Sequence, residues 1–166
     1  GVAPRINACG RMGHQEEALK LFLSTDKSEV NQLAEKLNEY NRQRQDKEKQ
    51  IFLEALEKIK KEIVNEDSVM VVDGENWHHG VIGIVASKIT ETYYKPSVLI
   101  CFEGDEGKGS GRSVDGFDLH EALSACGDKL LKYGGHEMAI GLTLKKDEFQ
   151  NFRKAISIIW NWLSKN

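Results

Sequence analysis

The stretch SVMVVDGENWHHGVIGIVASKITETYYKPSVLICF, residues 68–102, carries the pattern that decides the fold. Residues 68–72 form a continuous apolar run that ends at an Asp-Gly pair, which is typical of a buried strand. Residues 80–94 place Val and Ile side chains at helical spacing, and a proline closes this helix before a second buried strand at residues 97–102. A strand, a helix and a strand in succession predict a sheet packed against helices.

The sequence downstream of this stretch continues the alternation of strands and helices. It predicts a strand at 108–114, a helix that begins at Asp118, is kinked at Gly127 and ends at Gly134 and Gly135, a strand at 138–144, and a last amphipathic helix from Asp147. The order strand, helix, strand, strand, helix, strand, helix predicts an α/β or α+β domain.

The sequence upstream is different in character. Residues 1–14 are rich in Gly, Pro and Arg and predict an irregular loop, and a short helix is expected at 15–23. From residue 26 to about residue 64 there is no Gly or Pro, so a long helix is predicted, and its apolar stripe thins over 41–49. We interpret this helix as a spacer between two packed bodies, with domain ranges 1–25, 26–65 and 66–166.

Composition excludes several classes of protein. A formal net charge of −3 argues against coating nucleic acid through bulk positive charge, so any phosphate recognition must be local. The three cysteines have no paired spacing, which argues against a zinc ribbon or a disulfide framework and favours a reducing cytoplasm. No apolar run is long enough to span a membrane. The chain opens without an initiator Met, as expected of a piece cut from a longer protein.

Three short segments combine glycine with a cation, a hydroxyl or an imidazole, a chemistry suited to phosphate. In PRINACGR, residues 4–11, Arg5 and Arg11 lie six residues apart on a backbone whose Pro and Gly could hold them as a fork. The alternative is a surface loop with two solvated arginines.

The second segment is GSGRS, residues 109–113. Its glycines would let backbone amides approach an anion, while Ser110, Arg112 and Ser113 supply side-chain donors. The alternative is an ordinary Gly- and Ser-rich turn.

The third segment is GGH, in which Gly134 and Gly135 would allow close approach of a ligand to the imidazole of His136. A histidine with a purely structural role is the alternative. His79 lies in the connection between the first strand and the helix that follows it, so backbone N–H groups there are expected to face an anion. No metal-ligand spacing and no Walker A, HExxH or GxSxG motif is present, so a self-contained enzyme lacks visible machinery.

Taken together and in this order, PRINACGR, DGENWHHGVIGIVASKI, GSGRS and GGHEMAIG resemble the carboxy-terminal half of the RecJ-like single-stranded-DNA exonucleases of the DHH phosphoesterase superfamily. The resemblance covers residues 4–141 and implies a DHHA1-like mixed β-sheet flanked by helices, preceded by a long connecting helix. Residues 1–25 would form the edge of the segment on the DHH side.

In that family the whole enzyme hydrolyses single-stranded DNA from 5′ to 3′ in recombination and repair. The resemblance implies Mn²⁺ or Mg²⁺ held by a DHH domain that precedes this chain, so this chain alone is expected to bind no metal and to be inactive. The implied partners are single-stranded DNA with a 5′-phosphorylated end, the DHH domain in cis, and a helicase or single-strand-binding protein.

The resemblance also assigns roles to residues. Ser110 and Arg112, with Arg11 as first choice and Arg5 as second, would hold the 5′-terminal phosphate or the neighbouring backbone. His136 would face the scissile phosphate from the side opposite the metals. The remaining phosphate-binding residues would be Asn7, His79, Ser113, Gly134 and Gly135.

Three other functions stay open on the sequence. One is a DHH–DHHA1 phosphodiesterase that acts on oligoribonucleotides or cyclic dinucleotides. Another is a non-catalytic nucleic-acid-binding DHHA1 module, like that appended to alanyl-tRNA synthetases. The last is an interaction domain with a coiled-coil arm, which the short apolar repeat of the long helix disfavours.

Overall fold

The structure is a computed structural model that describes residues 1–62 and 69–166. The chain divides into two compact units, Gly1–Lys49 and Gln50–Asn166, and the division falls within one long helix. This helix, α3, spans Lys27–Glu62 and confirms the long helix predicted from the sequence. Its predicted end near residue 64, the domain boundary at 65–66 and the predicted start of the first strand lie outside the described residues.

The first unit contains helices α1 (Val2–Arg11) and α2 (Gln15–Leu23) and the first part of α3. The prediction of an irregular loop over residues 1–14 is therefore wrong. Pro4 lies in the first turn of α1, where the backbone N–H groups have no partner within the helix, so proline costs little there. Gly13, with a φ of +80°, follows the helix, so glycine ends α1 without being part of a long loop.

A small core holds the first unit together. Cys9 of α1, Ala18 of α2 and Leu37 of α3 are buried against one another. The polar middle of α3 is less solvated than its composition predicts, because Arg44 and the buried Glu48 form an ion pair of 2.6 Å. A face of α3 that reads as solvent-facing in the sequence therefore carries a shielded pair of charges.

The second unit is built on a five-stranded sheet with strand order β1-β2-β3-β5-β4. β1 runs parallel to β2, and the other neighbours are antiparallel, so the sheet is mixed, as the resemblance implied. The strands are β1 (Met70–Glu75), β2 (Ser97–Glu103), β3 (Glu106–Arg112), β4 (Lys132–His136) and β5 (Ala139–Lys145). The helices of this unit, besides the end of α3, are α4 (Ile82–Tyr93), α5 (Leu119–Ala125) and α6 (Phe149–Leu163).

The region around residues 126–136 differs from the sequence prediction. The predicted helix from Asp118 ends with α5, a single 3₁₀ turn follows at Gly127–Lys129, and the glycine pair lies inside strand β4. Gly135 has a φ of +131° and packs against the backbone of β5. Gly135 therefore marks a close approach between strands, and the expectation that the glycine pair ends a helix is corrected.

The two faces of the sheet are covered differently. One face carries Val98, Ile100, Leu142 and other apolar side chains, which pack with α5 and α6 in the main core. α4 packs on the opposite face, against β2 and β3. Because α4 contacts β2 and β3, the part of this face over β5 and β4 is left for the groove described below.

The outer edge of β1 is covered by side chains from two helices. Arg153 of α6 donates a hydrogen bond of 2.8 Å to the carbonyl oxygen of Val71, and Lys58 of α3 donates one of 2.6 Å to that of Asp73. Unpaired backbone groups on an edge strand invite pairing with another chain. Side-chain donors on alternate carbonyls therefore protect this edge.

Arg153→Met should reduce the free energy of unfolding by about 1–3 kcal/mol, because the carbonyl of Val71 loses a charged donor in a partly buried place. Urea unfolding followed by tryptophan fluorescence measures this loss. Lys154→Met is the matched control, since Lys154 is exposed on the same helix. Equal stability of the two variants would contradict a protective role for Arg153.

Among the helices in the described ranges, none has the length and apolar character needed to cross a bilayer.

Candidate nucleic-acid interface

The register of the sheet brings three of the predicted site residues onto one face. Ser110 of β3 lies opposite Gly141 of β5, which lies opposite Gly134 of β4. Two residues along, Arg112 lies opposite Ala139, which lies opposite His136. Directly paired residues in a sheet project to the same side, and so do residues two apart on a strand. Ser110, Arg112 and His136 therefore share one face of the sheet, on both sides of β5.

A groove of about 500 Å³ lies over this face. Its floor is bare backbone at two glycines: a Cβ at Gly134 would meet no atom within 4 Å, and one at Gly141 only the carbonyl oxygen of Gly109 at 3.9 Å. The polar side chains that line the groove are those of His79, Lys108, Ser110, Lys132 and Thr143. An open groove with a glycine floor and cations at its sides suits a flexible polyanion.

Ser110 and Arg112 form a connected pair of donors. Nη1 of Arg112 donates to Oγ of Ser110 at 3.1 Å and to the carbonyl oxygen of Gly111 at 2.7 Å, so the guanidinium lies back along its own strand. α4 comes very close here, because a Cβ at Gly83 would lie 2.9 Å from Nη2 of Arg112 and 3.0 Å from Oγ of Ser110. Only glycine at this point of α4 leaves both side chains where they are.

Hydroxyl groups fix α4 in this position. The side-chain oxygens of Thr90 on α4 and Ser97 on β2 are 2.7 Å apart, and Oγ of Ser97 donates to the carbonyl oxygen of Ala86 at 2.8 Å. Thr90 also donates to the carbonyl oxygen of Arg112 at 3.3 Å. Thr90 and Ser97 are buried, so these contacts are shielded from water and hold the backbone of Arg112 against α4.

His136 presents an oriented and exposed imidazole at the end of β4. Its Nδ1 accepts a hydrogen bond of 3.3 Å from the backbone N–H of Met138. An acceptor at Nδ1 in the neutral ring places the proton on Nε2. The outer nitrogen of the ring is therefore the donor, and it is available for hydrogen bonding or proton transfer to a ligand.

The glycines of GSGRS serve the core and not the ligand. A Cβ at Gly109 would lie 2.8 Å from Cδ1 of Leu142, and one at Gly111 would lie 2.8 Å from Cδ1 of Ile140. β3 is an inner strand whose backbone is paired with β2 and β5 on its two sides. The expectation that its amides form a nest for an anion is therefore wrong, and Ser110 is the residue of this segment whose side chain lines the groove.

Ser113 is placed away from the groove. It is buried, and its hydroxyl donates to the carbonyl oxygen of Phe117 at 2.6 Å, which stabilises the turn before α5. Because this hydroxyl is used inside the protein, we leave Ser113 out of the proposed site.

The WHHG segment is also organised differently from the expectation. The amide of Gly80 donates to Nδ1 of His78 at 3.0 Å, and the amides of Val81 and Ile82 donate to its carbonyl oxygen. The expectation that these N–H groups face an anion is corrected, since His78 accepts from them. The exposed ring of His79, by contrast, stacks on His78 and lines the groove.

The remaining predicted residues belong to the first unit. Six residues of α-helix turn through about 600°, so Arg5 and Arg11 project about 120° apart, and the predicted fork is not formed. Arg5 is used in packing, with its guanidinium donating to the side chain of Asn38 and the carbonyl of Gly1. Asn7 and Arg11 are four residues apart and share an exposed face of α1.

The described residues offer no metal centre and no thiol nucleophile. In residues 1–62 and 69–166, no three His, Cys, Asp or Glu side chains are grouped so that they could hold a metal ion. Burial, and to a smaller extent the charge of Glu103, raises the pKa of the Cys101 thiol, which lies beside His79 and Lys108. A protonated, buried thiol is a poor nucleophile at neutral pH.

The sequence reasoning missed Lys108, Lys132, Thr143 and Gly141 as parts of this surface. The signal that could have found the two lysines is strand alternation, because Lys108 lies two residues before Ser110 and Lys132 two residues before Gly134. Thr143 and Gly141 required the register of β5 with its neighbours.

Comparison with known proteins places these features in a family. Residues 66–164 match the DHHA1 domain. The single-stranded-DNA-specific exonuclease RecJ of Bacillus subtilis is 36% identical over 160 residues, covering 95% of this chain and 20% of that protein. RecJ of Escherichia coli is 33% identical over 171 residues, covering 98% of this chain and 30% of that protein. This chain therefore spans less than a third of the length of these relatives.

Solved structures agree with the sequence relatives. The crystal structure of Thermus thermophilus RecJ in complex with Mg²⁺ superposes with a TM-score of 0.86 at 33% identity, covering 99% of this chain and 25% of that one. A crystal structure of exonuclease RecJ bound to manganese also gives a TM-score of 0.86 at 33% identity, covering 96% of this chain and 40% of that one. The resemblance stated from the sequence motifs is thereby confirmed.

Proposed function

The chain belongs to the DHHA1 domain family and is similar to part of RecJ, and from this premise we propose that it binds the substrate of a RecJ-like exonuclease. In this proposal the whole protein hydrolyses single-stranded DNA from 5′ to 3′. This chain binds the 5′-phosphate and the adjoining backbone. The observation that carries the proposal is the common face of Ser110, Arg112 and His136 beside a glycine-floored groove.

The chemistry of the donors supports a phosphate ligand. The guanidinium of Arg112 offers a planar set of N–H groups that matches the non-bridging oxygens of a phosphate, and Ser110 adds a hydroxyl. The Nε2–H of His136 can donate to a further oxygen of the scissile group as negative charge grows on it. These side chains bind and orient the phosphodiester and offset its charge.

The divalent ions named with the RecJ crystal structures find no ligand set in the described residues of this chain. As the resemblance implied, we propose that a part of the protein outside this chain binds the metal, and we expect this chain alone to show no nuclease activity. The role of Arg11 in phosphate binding stays a prediction from the sequence.

Arg112→Ala in the full-length protein should weaken binding of a 5′-phosphorylated oligonucleotide by about 1–3 kcal/mol, because a charge-assisted hydrogen bond to the phosphate is removed. Binding is measured by fluorescence anisotropy under chelating conditions, so that no substrate is cleaved. The same oligonucleotide with a 5′-hydroxyl end is the reference ligand. The variant should bind the 5′-phosphorylated and the 5′-hydroxyl oligonucleotides with about equal affinity.

Gly83→Ala is a second variant, in which Arg112 itself is not replaced. The added methyl group would lie 2.9 Å from Nη2 of Arg112, the flexible end of a side chain, so the fold should survive while the guanidinium is displaced. A loss of affinity with an unchanged melting temperature is expected. Equal affinity of the unmutated protein for both ends, or faster hydrolysis of a cyclic dinucleotide than of the oligonucleotide, would contradict the proposal.

A further inference from the structure

A second row of polar side chains crosses the sheet beside the row that contains Ser110. Lys108 of β3 lies opposite Thr143 of β5, which lies opposite Lys132 of β4. The three residues are therefore neighbours on one face, with a hydroxyl between two ammonium groups. This row is on the same face that carries Ser110, because Lys108 is two residues before Ser110 on β3.

The two rows line one continuous groove. Lys108, Lys132 and Thr143 line it together with Ser110 and Gly134. Rows two residues apart along a strand are separated by about 7 Å, and only the bare backbone of Gly141 lies between the flanking strands in the Ser110 row. An extended ligand can therefore contact both rows without a side chain in its path on β5.

Charge balance defines where the cationic surface ends. The next row along the strands pairs Glu106 with Lys145 and with Glu103, so carboxylates follow the lysines. A pocket of about 230 Å³ at this end is lined by Glu103 and Glu106 next to Lys108. Within the described ranges, neither Lys108 nor Lys132 is in an ion pair with a carboxylate. Two ammonium groups that line one groove and form no ion pair favour an anionic ligand there.

We propose that Lys108, Thr143 and Lys132 form a second phosphate site, which binds a phosphate of the same strand other than the one held by Ser110 and Arg112. This inference rests on the proposed function, since it concerns the same polynucleotide. The ligand it requires has at least two phosphates, so an oligonucleotide fills both rows and a mononucleotide fills one. Because carboxylates follow the lysines, the cationic surface has room for two phosphates in this direction.

The test compares two ligands that differ in the number of phosphates. The full-length protein, in chelator, is titrated with a nucleoside 5′-monophosphate and with a 5′-phosphorylated trinucleotide. The variants are Lys108→Ala with Lys132→Ala in one protein, and Thr143→Val alone. Lys154→Ala is the control for the loss of a lysine charge, because it removes one ammonium group from an exposed position on α6.

We expect the double variant to lose at least about tenfold in affinity for the trinucleotide, the equivalent of one good charged contact. Its affinity for the monophosphate should stay within about twofold of the unmutated protein, and Lys154→Ala should change neither. The logarithmic salt dependence of trinucleotide binding should become shallower by about 0.7 for each phosphate that is no longer neutralised by a lysine. Thr143→Val should reduce only trinucleotide binding, by a smaller factor.

Two results would overturn the second site. In one, the double variant binds both ligands as the unmutated protein does. In the other, it loses the same factor for both, which would place the lysines at the first phosphate. Failure of the proposed function gives a different result, in which Arg112→Ala leaves the affinity for the monophosphate unchanged.

Discussion

Gly135→Ala should lower the free energy of unfolding of the second unit by about 3 kcal/mol or more, the cost of a strongly strained backbone together with a steric clash. The φ of +131° is one that residues with a Cβ rarely adopt. The added Cβ would lie 2.3 Å from the carbonyl oxygen of Ala139 and 2.8 Å from Cα of Ile140. Both contacts are backbone atoms of β5, so relief requires β4 to separate from β5.

Gly134→Ala is the matched control for this prediction. The added Cβ would meet no atom within 4 Å, so the stability should stay within about 0.5 kcal/mol of the unmutated protein. The methyl group would nevertheless stand on the floor of the groove, between Lys132 and His136, and should weaken nucleotide binding. Urea unfolding and anisotropy titrations on the same two proteins separate these effects. Equal stability of the two variants would contradict the strain assigned to Gly135.

His136→Ala should reduce the rate of oligonucleotide hydrolysis by the full-length protein by roughly 100-fold, the usual cost of losing one donor to a developing charge. Binding in chelator should change far less, because the phosphate contacts proposed for Ser110 and Arg112 are left in place. Single-turnover hydrolysis at saturating protein measures the rate apart from affinity.

His136→Gln tests the donor role of the imidazole directly. The amide nitrogen of glutamine can donate a hydrogen bond but cannot transfer a proton at neutral pH. Recovery of most of the rate by His136→Gln would assign hydrogen bonding to this side chain, and a rate as low as that of His136→Ala would assign proton transfer. A His136→Ala protein with the unmutated rate would remove His136 from the reaction.

Local pattern was sufficient to predict most elements of the fold. The apolar runs of β1 and β2 and the helical spacing of α4 are set by residues near in sequence, and the structure has α4 and β2 close to the predicted bounds. β1 continues through Asp73 and Gly74 to Glu75, so the prediction that the Asp-Gly pair ends this strand is wrong. β4 could not be found in this way, because Leu130 and Leu131 continue a helical spacing and its glycines resemble a helix end. Its existence depends on pairing with β5, which is a contact between strands. Pro4 misled the interpretation of α1, since proline is tolerated in a first turn.

The candidate site residues could be chosen from the sequence, but their arrangement could not. Ser110, Arg112 and His136 follow from their residue types and motifs, whereas their common face depends on the register of β3, β5 and β4. Strand alternation would have placed Ser113 on the face opposite Ser110, and in the structure its hydroxyl donates to the carbonyl oxygen of Phe117. The lysines of the second row were missed because neither lies inside one of the three motifs.

The alternation along β3 keeps two tasks apart within one strand. Gly107, Gly109 and Gly111 meet large apolar neighbours on one side, while Lys108, Ser110 and Arg112 stand on the other. An exchange such as Ile140 to Val beneath Gly111 is therefore expected to alter the melting temperature and spare ligand affinity. An exchange at Lys108 should do the reverse. Substitutions at neighbouring positions of β3 and β5 can therefore change stability or ligand affinity, each with little effect on the other.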